Sequence, residues 1–254
     1  MNRNLLHLGT SGWSYKDWVG LFYAEGSAPK DFLEIYSQHF HTVEIDSTFY
    51  GTPRQEYVRC WRDITPDDFQ FSAKFPKEIT HEKCLVDCVK ETTDFLKTIE
   101  LLGKKLSVLL LQFEYGFKPD QFENLSAFLP TLPDSFRYAL EIRNKKWLTP
   151  DFFELLRDNG VALTLVDHPW MPRLRDVTSD FTYIRWLGDR KKVTDNFAEV
   201  QIDRSKEVAW WAEVIHQFLI DDVTTFGYVN NHFAGYSPST VRLVEAELDR
   251  FAQQ

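Results

Sequence analysis

Charged side chains two residues apart recur along this sequence. Thr42-Val43-Glu44-Ile45-Asp46 alternates polar with β-branched residues, and Gln70-Phe71-Ser72-Ala73-Lys74 alternates polar with apolar ones. Tyr138-Ala139-Leu140-Glu141-Ile142-Arg143 places Glu141 and Arg143 two apart. In a strand, residues i and i+2 share a face, so each segment carries its charges on one side. A buried carboxylate is costly unless paired, so those faces look into something polar rather than an oily core. Carboxylates and amines gathered in a cleft shift one another's pKa, which suits general acid–base chemistry. On that logic Glu44, Lys74 and Glu141 are the candidate catalytic residues.

Lys74 also has the residue type of a Schiff-base nucleophile, a role that requires a depressed pKa. Neighbouring carboxylates would raise it instead, so the expectation is a cation facing a carboxylate or phosphate. The remaining polar residues near strand ends form a candidate ligand-binding set. Thr10, Asp46, Gln112, Arg143, Asp167, Arg185 and Asn230 are expected to face inward. His81 and His232 lie in loops after predicted strands, and Trp13, Tyr15, Tyr50 and Trp147 are aromatics near strand ends that could stack on a ligand. A salt-bridge network that merely fills space is the simpler account of any one residue. For the set a ligand site is favoured, because replacing buried ion pairs with apolar residues is often neutral or stabilising.

The loops Gly188-Asp189-Arg190-Lys191-Lys192 and Asn231-His232-Phe233-Ala234-Gly235-Tyr236 follow the seventh and eighth predicted strands. Phosphate sites are often built from such loops in closed α/β barrels, although an exposed basic turn and a plain helix cap explain them as simply. His81, His168 and His232 with Glu44, Glu141 and Asp167 lack any tight metal-ligand spacing, so no metal is assigned. There is no G-x-G-x-x-G and no Walker loop, and no cofactor is assigned. Cys84 and Cys88 are four apart. On a helix they would share a face and read as small buried hydrophobes rather than a redox pair.

The elements that position these residues follow from periodicity. Strands are predicted at Leu5–Thr10, Thr42–Asp46, Phe69–Phe75, Leu106–Phe113, Tyr138–Arg143, Val161–Asp167, Phe181–Trp186 and Phe226–Asn230. Helical spacing is predicted over Pro29–Phe40, Pro53–Trp61, Val86–Leu102, Pro119–Leu129, Pro150–Asn159, Lys206–Leu219 and from Ser237 to about Phe251. Eight strands, most followed by a helix, at a spacing of roughly 32 residues, predict an α/β fold: one (β/α)8 TIM barrel over residues 1–254 with a closed, parallel, eight-stranded sheet. An open doubly wound sheet is disfavoured because polar residues sit at strand ends all along the chain rather than at one switch point.

Bulk composition bounds the partners. Hydrophobic residues make up 43% of the 254, ample for a core. The net charge of −9 argues against general affinity for nucleic acid backbone unless basic residues cluster on the barrel's rim. No apolar run approaches the roughly 20 residues that span a bilayer, so no membrane partner is expected. The N-terminus shows no signal-peptide apolar core. Three cysteines form no disulfide framework, and a cytoplasmic setting is the default. The expected partner is a small-molecule ligand, anionic if the basic residues bind it. Oligomeric state is not legible.

Several motifs resemble a known family. Gly9-Thr10-Ser11-Gly12-Trp13-Ser14-Tyr15 with Trp18, Val43-Glu44-Ile45-Asp46-Ser47-Thr48-Phe49-Tyr50, and Phe71-Ser72-Ala73-Lys74 with Ile79-Thr80-His81 are similar to the YecE-like family, a domain of unknown function. So are Leu111-Gln112-Phe113, Glu141-Ile142-Arg143 with Trp147, and Asn230-Asn231-His232 with Gly235. The resemblance runs nearly the whole chain and implies a TIM barrel without implying an activity. That barrel has been likened to metal-dependent endonuclease and sugar-isomerase barrels, an analogy of fold only. The chain departs from the family pattern at Asp46 (Asn expected), Asn144 (His), Leu187 (His, in Arg185-Trp186-Leu187-Gly188) and Ser239-Thr240 (Asn-Ala). The expectation from all of this is an acid–base enzyme on a small polar, sugar-like or phosphorylated substrate. The alternatives are a non-catalytic binder of nucleic acid or metabolite, and metal-dependent phosphodiester or sugar chemistry.

Overall fold

The computed structural model describes residues 2–252. Its strands are β1 (Leu6–Ser11), β2 (Thr42–Ile45), β3 (Gln70–Lys74), β4 (Leu106–Gln112), β5 (Arg137–Glu141), β6 (Ala162–Asp167), β7 (Phe181–Trp186) and β8 (Thr224–Val229). They pair in sequence order, all parallel, and β1 closes on β8. The helices are α1 (Phe32–Ser37), α2 (Gln55–Ile64), α3 (Val89–Ile99), α4 (Phe122–Phe128), α5 (Pro150–Asp158), α6 (Ser205–Ile220), a short α7 (Asn231–Ala234) and α8 (Ser237–Ala252). The expected (β/α)8 barrel is therefore present. No helix joins β6 to β7; an irregular segment fills that place and is pinned to α6, where Arg175 lies over the Trp210 ring.

Two predicted helices are corrected. The first begins at Phe32 rather than Pro29. The third begins at Val89, because Cys84, Leu85 and Asp87 take positive φ values of 47°, 70° and 48°, which no helix accommodates. Cys84 and Cys88 thus lie in the approach to α3, not on one helix face.

The apolar layer between strands and helices is the main core, as every barrel requires. Inside the barrel a second cluster forms the floor: Val108, Leu110, Ala139, Ala162, Phe181, Tyr183, Phe226 and Tyr228. The interior changes character along the axis. Above the aromatic floor, the Tyr228 hydroxyl bonds Thr42 Oγ1 and Ser72 Oγ, both at 2.8 Å. One residue pair further along the strands come Glu44 and Lys74, beside Glu141 and Arg185. Gly9 lets β1 close against β2: a Cβ there would stand 2.1 Å from the Thr42 carbonyl oxygen.

Candidate functional site at the barrel mouth

Arg185 sits at the centre of the charged layer, almost fully buried. Its Nη1 donates to Glu141 Oε2 at 2.6 Å and its Nη2 to Glu44 Oε1 at 2.7 Å. The other oxygen of each carboxylate is also taken. Tyr183 Oη donates to Glu44 Oε2 at 2.7 Å, and Arg143 Nε donates to Glu141 Oε1. Tyr183, Glu44, Arg185, Glu141 and Arg143 thus form one continuous chain of charge-assisted hydrogen bonds across the barrel. Burial would raise the Glu141 carboxyl, but Arg143 and then Arg185 outweigh it and hold its pKa at about 2. The Arg185 guanidinium, penalised by burial, is held charged by Glu141 and Glu44. The Tyr183 hydroxyl is pushed well up by burial and by the Glu44 charge.

Lys74 and Asp46 stand apart from this chain. Ile45 and Ala73 are register partners, so the following residues, Asp46 and Lys74, lie abreast on neighbouring strand ends. Thr48 Oγ1 ties those ends together by donating to the Ile45 and Lys74 carbonyls at 2.9 and 2.7 Å. Lys74 Nζ donates to Gln112 Oε1 at 3.2 Å and lies 4.3 Å from the centre of the Phe49 ring. Among the described residues, neither Lys74 nor Asp46 has an ion-pair partner within 4.0 Å. Burial lowers the Lys74 pKa to about 8, helped by Arg185 and only partly opposed by Glu44, Glu141 and Asp46. This corrects the expectation that nearby carboxylates would raise it: they are neutralised by arginines, and desolvation wins. Asp46 is shifted the other way, its pKa raised by burial and then by the Glu44 charge.

Both groups open into a cavity of about 580 Å³ at the C-terminal end of the strands. Its walls include Gln112, Arg143, His168, Asn230, Tyr50 and Trp170, with Arg185 at the base and Arg190 and Lys191 on the β7 loop. Gly188 lets that loop turn inward. It has a φ of 64°, and a Cβ there would meet the His232 carbonyl at 2.3 Å. The His168 pKa is depressed to about 4 by burial and by Arg143, so its imidazole is neutral near pH 7.

The structure brings together Glu44, Asp46, Tyr50, Lys74, Gln112, Glu141, Arg143, Arg185 and Asn230. It does not bring in the others. Thr10 points outward, where its backbone N–H and Oγ1 both donate to the Tyr36 hydroxyl of α1. Asp167 also points outward, accepting from Trp211 Nε1 of α6 at 2.8 Å and from Arg173 Nε at 2.7 Å. Both were expected inside. Apart from Thr164, β6 is apolar on both faces up to Asp167, so residue type gave no alternation from which its facing could be read. Trp147 is buried in a stack with Phe117, 5.1 Å between ring centres, and its Nε1 donates to the Phe117 carbonyl. Trp13 packs edge-on against Trp61. Tyr15 donates to the Ser11 carbonyl, and its hydroxyl borders Asp46 across Gly12 without lining the cavity. His81 packs its ring against Phe49, 4.9 Å away and nearly perpendicular, with Thr80 Oγ1 on its Nδ1. His232 bridges Asn230 and Asp195.

Tyr183 and Phe49 belong to the site and were not singled out in the sequence. Tyr183 shares the parity of Arg185 two residues on, a signal that could have found it. The β7 loop reaches the mouth as expected for an anion-binding role, but the α8 N-terminus does not: Ser237 is buried, its N–H and Oγ both spent on Asn231 Oδ1. The three loop histidines are dispersed, and Glu44 and Glu141 are occupied by arginines. Among the described residues no three His, Cys, Asp or Glu side chains are grouped to hold a metal ion. This arrangement does not fit the metal centre that the barrel analogy would require.

Comparison with known proteins agrees with this architecture. The family model described as "Protein of unknown function DUF72" matches residues 7–254. This chain belongs to the DUF72 family. The UPF0759 protein YecE of Escherichia coli is 35% identical over 149 residues, covering 59% of this chain and 50% of YecE. The aligned part of the chain thus spans about half the length of that relative. UPF0759 protein YunF of Bacillus subtilis is 28% identical over 206 residues, covering 74% of this chain and 72% of YunF. The crystal structure of a DUF72 protein from Thermotoga maritima superposes with a TM-score of 0.78 at 26% identity, covering 98% of this chain and 99% of that one. No described helix of this DUF72 protein is long and apolar enough to cross a membrane.

Proposed function

We propose that this DUF72 protein is an acid–base enzyme acting on a small, anionic, hydroxyl- or carbonyl-bearing substrate in the barrel mouth, with Lys74 and Asp46 as the proton-handling pair. One observation carries this reading: in the layer at the strand ends, where each of Glu44, Glu141, Arg143 and Arg185 is ion-paired, Lys74 and Asp46 face the cavity with no ionic partner among the described residues. Lys74 is buried there and Asp46 half-buried, whereas the likewise unpaired Glu114, Asp189, Arg190 and Lys191 lie on the loops. Their pKa values are displaced toward neutrality from opposite sides, as acid–base work near pH 7 requires. Glu44 and Glu141, the carboxylates first suggested as acid and base, act here as anchors. A carboxylate held at about 2 with both oxygens occupied is a poor proton acceptor. Arg143, Arg190 and Lys191 supply the charge for an anionic group. The three free cysteines suit a reducing compartment, and we place the activity there.

The test is a thermal-shift screen of phosphorylated and carboxylated sugars on wild type, Lys74→Met and Asp46→Asn. A compound that stabilises wild type but neither variant, with both variants folded, supports the reading. Variants that respond like wild type contradict it.

A second reading has one observation in its favour. Exposed Tyr115 and Trp170 pack edge to face, 5.9 Å apart, at the rim beside Lys145 and Lys146. Basic residues and open aromatic faces so placed suit a single-stranded nucleic acid despite the net charge of −9. Salt-sensitive binding of an oligonucleotide, abolished by Trp170→Ala, would support that role, and salt-insensitive or absent binding would dismiss it.

A further inference from the structure

We infer that Lys74 is a covalent catalyst, its amine condensing with the carbonyl carbon of a small anionic aldehyde or ketone while Asp46 carries the protons; this rests on reading the mouth as an acid–base site.

The geometry around Nζ distinguishes an amine nucleophile from a fixed cation. An ammonium has three N–H donors, and here one acceptor, Gln112 Oε1, lies within reach. That acceptor is held in orientation, because Gln112 Nε2 donates to the Phe113 carbonyl at 2.8 Å. An ammonium at this position therefore lacks partners in a site where hydration is restricted, in keeping with the lowered pKa. An iminium nitrogen formed from the same lysine has one N–H, which Gln112 Oε1 can satisfy. Its positive charge keeps the Phe49 ring beside it, as the ammonium's does, so the two cations differ in how many N–H donors they leave unmatched. The pocket thus favours the cationic adduct over the free cation.

The step balances with the groups that line the cavity. The neutral Lys74 amine attacks the carbonyl carbon. A C–N bond forms, and the carbonyl π pair moves to oxygen, which takes a proton from the Asp46 carboxyl. The nitrogen of the resulting carbinolamine loses a proton to the Asp46 carboxylate. Asp46 then protonates the hydroxyl, the C–O bond breaks, and water leaves as the nitrogen lone pair forms the C=N bond. The net change is amine plus carbonyl plus one proton giving iminium plus water, with no oxidant or reductant. The Asp46 carboxylate, left unprotonated by the condensation, then takes the proton of the adjacent C–H bond as that bond's electron pair moves onto the iminium to give an enamine. Return of the proton to carbon from Asp46 regenerates the iminium, and hydrolysis with one water releases the carbonyl product and the free amine. Arg143, Arg190 and Lys191, which line the same cavity, hold the substrate's anionic group.

The experiment is borohydride trapping on the full chain with three anionic carbonyl probes: glyoxylate, pyruvate and pyridoxal 5′-phosphate. Peptide mass mapping locates the reduced adducts. Lys74 is expected to be modified about tenfold or more faster than the surface lysines near pH 7.5, as its larger neutral fraction requires. The Asp46→Asn variant should slow trapping at Lys74 without moving it to another residue, and Lys74→Arg should abolish the fast adduct while remaining folded. Modification of Lys74 no faster than the surface lysines with all three probes overturns the proposal. The non-carbonyl analogues lactate and pyridoxine phosphate separate it from the reading beneath. A thermal shift with these that needs Lys74 and Asp46, alongside no fast adduct, defeats the covalent role alone. No shift and no fast adduct defeats both.

Discussion

The barrel mouth holds two charged regions that differ in one respect. In the relay of Tyr183, Glu44, Arg185, Glu141 and Arg143, every carboxylate oxygen has a donor. In the corner made by Lys74 and Asp46, a few ångströms away on adjoining strand ends, neither group has an ionic partner. The first region has the chemistry of a scaffold, since its charges are tied to one another and the Glu141 carboxyl is held at about 2. The second has the chemistry of a site. The scaffold also makes the site: by neutralising Glu44 and Glu141, the arginines leave Lys74 without a strong anion, so burial can depress its pKa.

Substitutions in the two regions should have opposite effects. Glu141→Gln leaves Arg143 and Arg185 in a buried layer with too little negative charge, and is expected to destabilise the fold by about 3–5 kcal/mol in denaturant titration. A loss under about 1 kcal/mol would mean the relay is not structural. Acid should act on the same bond. Glu141 moves from an ordinary 4.5 to about 2 on folding, so its stabilisation is complete above pH 4.5 and is lost as pH falls toward 2. The stability of Glu141→Gln should accordingly fall less steeply than wild type over that window. Tyr183→Phe removes one hydrogen bond to a charged acceptor, with an expected loss of about 1.5–3 kcal/mol.

The Lys74–Asp46 corner should respond in the opposite manner. Lys74→Met removes an under-hydrogen-bonded amine, and stability is expected to stay within about 1 kcal/mol of wild type while any ligand response is lost. In wild type, the depressed Lys74 pKa makes the unfolded chain bind more protons between pH 8 and 10.5. Its contribution to stability should therefore rise with pH across that window, and be absent from Lys74→Met.

Much of the architecture was legible because alternation is a direct record of facing. On β2 and β3 one face is polar and the other apolar, and on β5 and β7 the charge at the strand end could be taken as inward, so Glu44, Lys74, Glu141 and Arg185 were placed inside the barrel from the sequence. The same rule misplaced Asp167 on β6, where both faces are buried and a carboxylate is satisfied by the outer helix through Trp211. Thr10 was placed inside for its position at a strand end, although it shares the parity of Leu6 and Leu8, the outward face of β1, where it meets the Tyr36 hydroxyl. Aromatic residues were the least legible: Trp147 and Trp13 near strand ends pack on other rings, while Phe49, unremarked in the sequence, lies under the reactive amine. Which charges are saturated depends on Arg185 reaching across the barrel to Glu141 and Glu44, 44 and 141 positions away, which spacing along the chain does not record; of the relay's ion pairs only Glu141–Arg143, two apart, was visible there.

Lys74 differs in kind from the charges around it, and the rate of its acetylation by dilute acetic anhydride, followed by mass spectrometry as a function of pH in the folded protein, tests this most directly. A half-maximal rate is expected at a pH of about 8, with the fold intact throughout. A midpoint at the ordinary lysine value of 10.5, or above it, would show that Lys74 is held as a cation like its neighbours.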